Sequence, residues 1–190
     1  NGYNEFNGYK MMNSTIRTPP VFLCGMMGSG KSTVGRILAS RMDMPFVDMD
    51  DLIEQQEGMT ISEIFSRKGE KTFRKIEKEL VMKTVDNSGC VIALGGGALQ
   101  DQQITDHLKN KGWLIFLDAP LSVLSRRLAN DTKRPLLQQA GKEKIRIRID
   151  RLLKERKKYY LQSHITIDTG RLSPETASHT IINKIKMNES

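Results

Sequence analysis

Eight consecutive residues set the chemistry this chain can do. Gly25-Met26-Met27-Gly28-Ser29-Gly30-Lys31-Ser32 fits G-x-x-x-x-G-K-[ST], the phosphate-binding loop pattern. Its glycines let successive backbone N–H groups turn toward one oxyanion. Lys31 can reach the β- and γ-phosphates of a nucleotide, and the Ser32 hydroxyl can ligate a divalent metal. The N-terminus of a helix starting there adds free N–H groups and a favourable dipole. The expected ligand class is a nucleoside triphosphate with Mg2+.

Further clusters could serve such a site. Asp48-Met49-Asp50 ends the second apolar run. Residues two apart on a strand face the same way, so both carboxylates are expected to point at the phosphate loop. One would hold the metal, directly or through water, and the other would orient or deprotonate a hydroxyl nucleophile. Alternatively, Asp50 or Asp51 caps the helix that follows, which leaves Asp48 without a purpose. Gly95-Gly96-Gly97 follows a third apolar run and would let the backbone pass close to a ligand. Arg74 stands three residues before Glu77, a helical spacing at which the carboxylate can hold the guanidinium. That pair, and Arg156 in a basic helix, read equally well as solvated surface charges.

The elements that must position these residues follow from hydrophobic periodicity. Apolar runs predict strands over 21–24, 45–48, 90–94, 113–118 and 164–168. Helical spacing predicts helices over 31–41, 51–57, 62–68, 70–85, 102–109, 121–129, 142–161 and 174–186. Ile145-Arg146-Ile147-Arg148-Ile149 alternates like a strand, but the segment is too long for one and Ile145, Ile149, Leu152 and Leu153 make a helical stripe. Alternating strands and helices predict an α/β fold of the P-loop NTPase type, in three layers. A five-stranded parallel sheet is covered by helices on both faces, with a substrate-binding helical insert at about 50–85. Ligands then gather at the strand carboxyl ends. Residues 130–141 lack periodicity, contain Arg134-Pro135 and read as a mobile lid.

Composition bounds the alternatives. A chain of 190 residues with 38% hydrophobic and 27% charged residues suits one globular domain, expected over 21–186. Residues 1–20 are expected to be a disordered tail or a cloning remnant. No apolar run is long enough to cross a bilayer and no secretory leader is recognisable, so no membrane partner is expected. Cys24 and Cys90 lie far apart in apolar runs, which suggests reduced core thiols in the cytoplasm. The net charge of +8 is concentrated between Arg126 and Lys158, where 13 Lys and Arg face 4 Asp and Glu, a surplus of +9. That surplus suits a cleft for anionic substrates. Without aromatic residues interleaved among the basic ones, it does not suit single-stranded nucleic acid.

Taken together, GMMGSGKSTVGRILA, FVDMDDLIEQ, ISEIF, GEKTFRKIE, LGGGA, RRLANDTKRPLL, ERKKYY and IDTGRLSPE resemble the shikimate kinase family of P-loop small-molecule kinases. The likeness runs from about Val21 to Lys186. The glycine loop is shared with many NTPases, whereas DMD, FRKIE, GGG and RPLL in this order are far more selective. The resemblance implies transfer of the ATP γ-phosphoryl group to the 3-hydroxyl of shikimate, giving shikimate 3-phosphate and ADP, in aromatic amino-acid biosynthesis.

On matching positions it implies that Gly28, Ser29, Gly30, Lys31, Ser32 and Thr33 hold the phosphates. Ser32 and Asp48 would hold Mg2+, and Asp50 would contact the attacking hydroxyl. Arg74 and Arg156 would grip the shikimate carboxylate beside Gly95, Gly96 and Gly97, a role suited to a planar guanidinium. Phe65 and Phe73 would line the apolar side of the pocket, and Glu77 would orient Arg74. Arg134 would close over the phosphates, and Arg127 and Pro174 would flank the adenine. Shikimate and ATP are the expected partners, and the expected state is a monomer. Gluconate or nucleoside monophosphate kinases and a nucleic-acid-stimulated ATPase are the rival readings.

Overall fold

The computed structural model describes residues 3–6, 9–12, 18–86, 89–129 and 142–189. Along the chain the elements are β1 (Tyr3–Phe6), β2 (Tyr9–Met12), β3 (Val21–Cys24), α1 (Lys31–Met42), β4 (Phe46–Asp48), α2 (Met49–Glu57) and α3 (Ile61–Asp86). There follow β5 (Val91–Ala93), a 3-10 turn (Ala98–Gln100), α4 (Gln102–Lys111), β6 (Trp113–Asp118), α5 (Leu121–Ala129), α6 (Lys142–Tyr160), β7 (Ile165–Asp168) and α7 (Pro174–Glu189).

Five strands form one sheet in the order β4-β5-β3-β6-β7, and every neighbouring pair is parallel. The strand that leads into the phosphate loop is therefore central. Alternation along it splits the core in two. Phe22 and Cys24 pack on one face with residues of α2 to α6, while Val21 and Leu23 pack on the other with Val34 and Leu38 of α1 and Ile181 of α7. This is the predicted three-layer α/β arrangement. Each fully buried Leu, Ile or Phe side chain contributes about 1.5–3 kcal/mol, and both layers of helices are needed to bury a sheet that is apolar on both faces.

The departures from the sequence reading are local. Residues 1–20 are predicted to be a disordered tail, yet β1 and β2 pair antiparallel from Tyr3 opposite Met12 to Phe6 opposite Tyr9. The two helices predicted over 62–68 and 70–85 are both present: they share the label α3 and meet at a kink at Gly69, whose φ of 78° and ψ of 164° are not helical. The ambiguous isoleucine segment is helix: Ile145 and Ile149 are buried while Ile147 is 64% exposed. The lid predicted over 130–141, with Arg134, lies outside the described residues.

Candidate active site

The phosphate loop leaves the end of β3 through Gly25 and turns on Gly28 and Gly30, with φ of 78° and 97°. Side chains with a Cβ rarely adopt that region. Ser29 N–H donates to the Met26 carbonyl at 3.1 Å, and Val34 N–H donates to Gly30 at 2.8 Å, which starts α1. The Lys31 ammonium curls back over this loop and donates to the carbonyls of Gly25 at 3.0 Å and Met26 at 3.1 Å. Cys24, just before the loop, is a free thiol. Burial pushes it up to about 12, so it packs rather than reacts.

Ser32, one residue into α1, donates its hydroxyl to Asp48 Oδ2 at 2.6 Å. Asp48 Oδ1 accepts the N–H of Asp50 at 3.1 Å and caps α2. The cap is thus Asp48 rather than Asp50 or Asp51. The strand-alternation argument for the acidic pair does not hold either, because the chain is already helical at Met49. Asp50 instead projects from the first turn of α2, where its Oδ1 is 3.2 Å from the point a Cβ on Gly95 would occupy. A hydroxyl and a carboxylate in contact fit Mg2+, which takes one or two protein oxygens and completes its shell with water and phosphate. Among the described residues no cluster of three or more His, Cys, Asp or Glu forms a separate metal site.

The run Gly95-Gly96-Gly97 lies against the phosphate loop: a Cβ on Gly96 would be 3.7 Å from the Gly25 carbonyl and 3.9 Å from the Met27 nitrogen. Each glycine makes room for a different charged side chain. A Cβ on Gly95 would collide with Glu77 Oε1, and one on Gly96 would be 3.3 Å from Arg156 Nη1. One on Gly97 would lie 2.6 Å from both Arg74 Nη atoms. Two guanidinium groups and two carboxylates therefore converge on one backbone segment at the sheet's carboxyl edge.

Glu77 is the buried member of this group, only 2% exposed. Its Oε2 accepts Arg74 Nη1 at 2.7 Å, while Oε1 has no partner among the described residues. Burial raises its carboxyl above the ordinary range, opposed by Arg74 and reinforced by the nearby Asp50. The spacing argument for a held Arg74 is met, but the pair is an inward-facing one and not the solvated bridge that the alternative reading supposed. Arg156 is likewise turned inward, with a buried Nε. Phe65 and Phe73 meet with ring centroids 4.6 Å apart, and the Arg74 guanidinium sits 5.1 Å above the Phe73 ring.

On the other side of the phosphate loop lies a cleft of about 280 Å3, bordered by Gly28, Thr33, Arg127, Thr169, Leu172 and Pro174. Ser29 and Gly30 also line it. Arg127 bridges its mouth, donating to the carbonyls of Gly28 at 3.1 Å and Thr169 at 2.7 Å. The Thr169 hydroxyl donates to the Ser29 carbonyl at 2.8 Å. The structure thus brings Arg127 and Pro174 to one cleft beside the phosphate loop. From sequence, Thr169-Gly170-Arg171-Leu172 reads only as a less distinctive adenine-side loop, and the cleft now takes Thr169 and Leu172 from it. Sequence reasoning missed Tyr160, whose hydroxyl donates to the Gly96 carbonyl at 2.5 Å.

Comparison with known proteins agrees with this geometry. Residues 27–186 match the family model described as shikimate kinase. A shikimate kinase of Sulfurihydrogenibium is 42% identical over 166 residues, spanning 87% of this chain and 97% of the relative. The shikimate kinase of Persephonella marina is 39% identical over 166 residues, spanning 87% of this chain and 98% of the relative. Among solved structures, the Acinetobacter baumannii shikimate kinase in complex with shikimate superposes with a TM-score of 0.83 at 34% identity, covering 90% of this chain and 94% of that one. The enzyme from Aquifex aeolicus gives 0.76, also at 34% identity, over 90% and 98%. With a central strand that delivers a phosphate loop against a glycine run backed by two inward arginines, this chain belongs to the shikimate kinase family.

Proposed function

We propose that the chain transfers the γ-phosphoryl group of ATP to the 3-hydroxyl of shikimate, giving shikimate 3-phosphate and ADP. The observation that carries this reading is the convergence of Arg74, Arg156, Asp50 and Glu77 on Gly95-Gly96-Gly97, next to the phosphate loop. Two guanidinium groups make a seat for a carboxylate, which each can grip with parallel hydrogen bonds. The apolar face formed by Phe65 and Phe73 suits the ring that carries that carboxylate.

In this reading the amides of Gly28, Ser29, Gly30, Lys31, Ser32 and Thr33 surround the phosphates. The purine lies in the cleft between Arg127 and Pro174. Mg2+, when bound at Ser32 and Asp48, offsets charge on the β- and γ-phosphate oxygens. Asp50 takes a hydrogen bond from the 3-hydroxyl and then its proton as the oxygen attacks Pγ. The bond from Pγ to the bridging β,γ-oxygen breaks, and its electron pair leaves with ADP. Lys31 neutralises charge on the moving group, and Arg134, outside the described residues, is assigned the same task. Little covalent work falls to the protein, since alignment and positive charge supply most of the acceleration.

The substrate role extends to the setting. The working unit is proposed to be a monomer. Cys24 and Cys90 are buried and in no disulfide, which supports a reducing compartment such as the cytoplasm. No helix among the described residues is long and apolar enough to cross a membrane.

A coupled ADP-release assay with shikimate, gluconate and nucleoside monophosphates tests the reading. Shikimate is expected to be the only acceptor in the panel giving Mg2+-dependent turnover. Faster turnover of gluconate or of a nucleoside monophosphate would reject it.

A further inference from the structure

Tyr160 takes no part in any role assigned above. Its ring ends α6 inside the core, 1% exposed and stacked on Phe116 of β6 with centroids 5.1 Å apart. The hydroxyl donates to the Gly96 carbonyl at 2.5 Å and lies 3.6 Å from Met26 Sδ in the phosphate loop. Arg156 stands one turn earlier on the same face of α6, with its Nη1 over Gly96. One buried oxygen therefore joins the glycine run, the phosphate loop and the helix that carries Arg156.

We propose that Tyr160 is a positioning residue for the acceptor substrate. By fixing the Gly96 carbonyl in the core, it aims the Gly97 N–H outward as a third donor for the carboxylate held by Arg74 and Arg156. The inference rests on the shikimate reading of the site.

The geometry behind it is that of a single peptide plane. In a trans peptide the carbonyl of one residue and the N–H of the next point in opposite directions. With the Gly96 carbonyl turned to Tyr160, the Gly97 N–H must point away from it. Among the described residues no hydrogen bond takes that N–H. The Arg74 guanidinium stands on the same residue, 2.6 Å from where a Cβ would be. A backbone donor beside two cations is an anion-seeking group. This plane is the centre of a turn closed by Ala98 N–H to the Gly95 carbonyl at 3.1 Å. With glycine at both central positions the same turn admits the flipped plane, so the bond to the Gly96 carbonyl selects one orientation. Burial pushes the Tyr160 phenol above its ordinary range, which keeps the hydroxyl a donor.

Tyr160→Phe keeps the ring and its stacking and removes only the hydroxyl. The expected result is a shikimate KM raised about 5- to 10-fold, the effect of one lost hydrogen bond. The KM for ATP and kcat should stay within about twofold. An analogue with the carboxylate reduced to a hydroxymethyl group supplies the decisive comparison. Its inhibition constant should be nearly the same for the wild type and Tyr160→Phe. An equal penalty for both ligands, or a parallel rise in both KM values, would overturn the proposal and leave Tyr160 a core residue only. If Tyr160→Phe does not fold, hydrogen exchange in the wild-type protein decides. Shikimate must protect the Gly97 amide more than the hydroxymethyl analogue does, and equal protection rejects the idea. A wild-type protein that does not phosphorylate shikimate would bring down the functional reading itself.

Discussion

The Ser32 hydroxyl donates across the top of the sheet to the Asp48 carboxylate at 2.6 Å. The second Asp48 oxygen caps the helix that bears Asp50. One side chain thus ties the proposed metal side of the site to the proposed acceptor side, and two substitutions separate its two tasks. Asp48→Asn keeps a good cap and loses the charge. It should raise the Mg2+ concentration for half-maximal activity by about 10-fold or more with Tm nearly unchanged. Asp48→Ala should add a cap loss of about 1 kcal/mol, a fall in Tm of about 2–4 °C. Metal titration and calorimetry check both. An unaltered Mg2+ requirement in Asp48→Asn would confine Asp48 to capping.

Arg74 is held at one nitrogen by Glu77 and packs over Phe73. Arg74→Lys retains the charge and loses the planar fork. The shikimate KM should rise about 10- to 100-fold, the equivalent of about 1.4–3 kcal/mol, with ATP affinity within about twofold. Steady-state kinetics with each substrate varied in turn will show this. A loss of ATP affinity with shikimate affinity intact would remove Arg74 from the acceptor pocket.

Gly97 and Gly35 offer matched tests of sterics at the site and away from it. A methyl on Gly97 would lie 2.6 Å from both Arg74 Nη atoms, the movable end of a side chain. Gly97→Ala should raise the shikimate KM more than about 10-fold, with Tm lowered only slightly, because the guanidinium can swing away. A methyl on Gly35 would collide with Cε2 at the edge of the Phe46 ring. Gly35→Ala should cost about 1–3 kcal/mol in stability with both KM values unchanged in the folded fraction. Thermal melts beside kinetics distinguish the two, and a Gly97→Ala enzyme with normal shikimate affinity would contradict the placement of Arg74.

The sheet was readable from sequence because each strand is a short apolar run closed by glycine, aspartate or proline, a pattern that buried parallel strands require. The phosphate loop was readable because its backbone turns need glycine at Gly28 and Gly30. Asp48 and Asp50 were found by an argument that fails in detail: the chain is helical from Met49, two residues before the helix predicted over 51–57. The spacing to Glu77 marks Arg74 in the sequence, but only the resemblance separates it and Arg156 from surface charges, since an arginine on a helix looks the same in sequence whether it faces water or a pocket. Their physical signature is the glycine run, whose missing side chains make the space they fill. Tyr160 and Thr169 stand within quoted stretches but draw no individual role from sequence, because both bind backbone carbonyls, which every residue possesses.

The left-handed torsion at Gly69 divides α3 midway between Phe65 and Phe73. Eight residues of unbroken helix would set two side chains about 12 Å apart along the axis, too far for rings to touch. Here the rings are in contact at 4.6 Å between centroids. No neighbour crowds the Gly69 position, since nothing lies within 4 Å of where a Cβ would be, so it is the bend and not the space that demands glycine there. The greasy wall of the proposed acceptor pocket is therefore a product of one backbone angle. A relative that kept both phenylalanines but straightened this helix would possess the lining and lose the pocket.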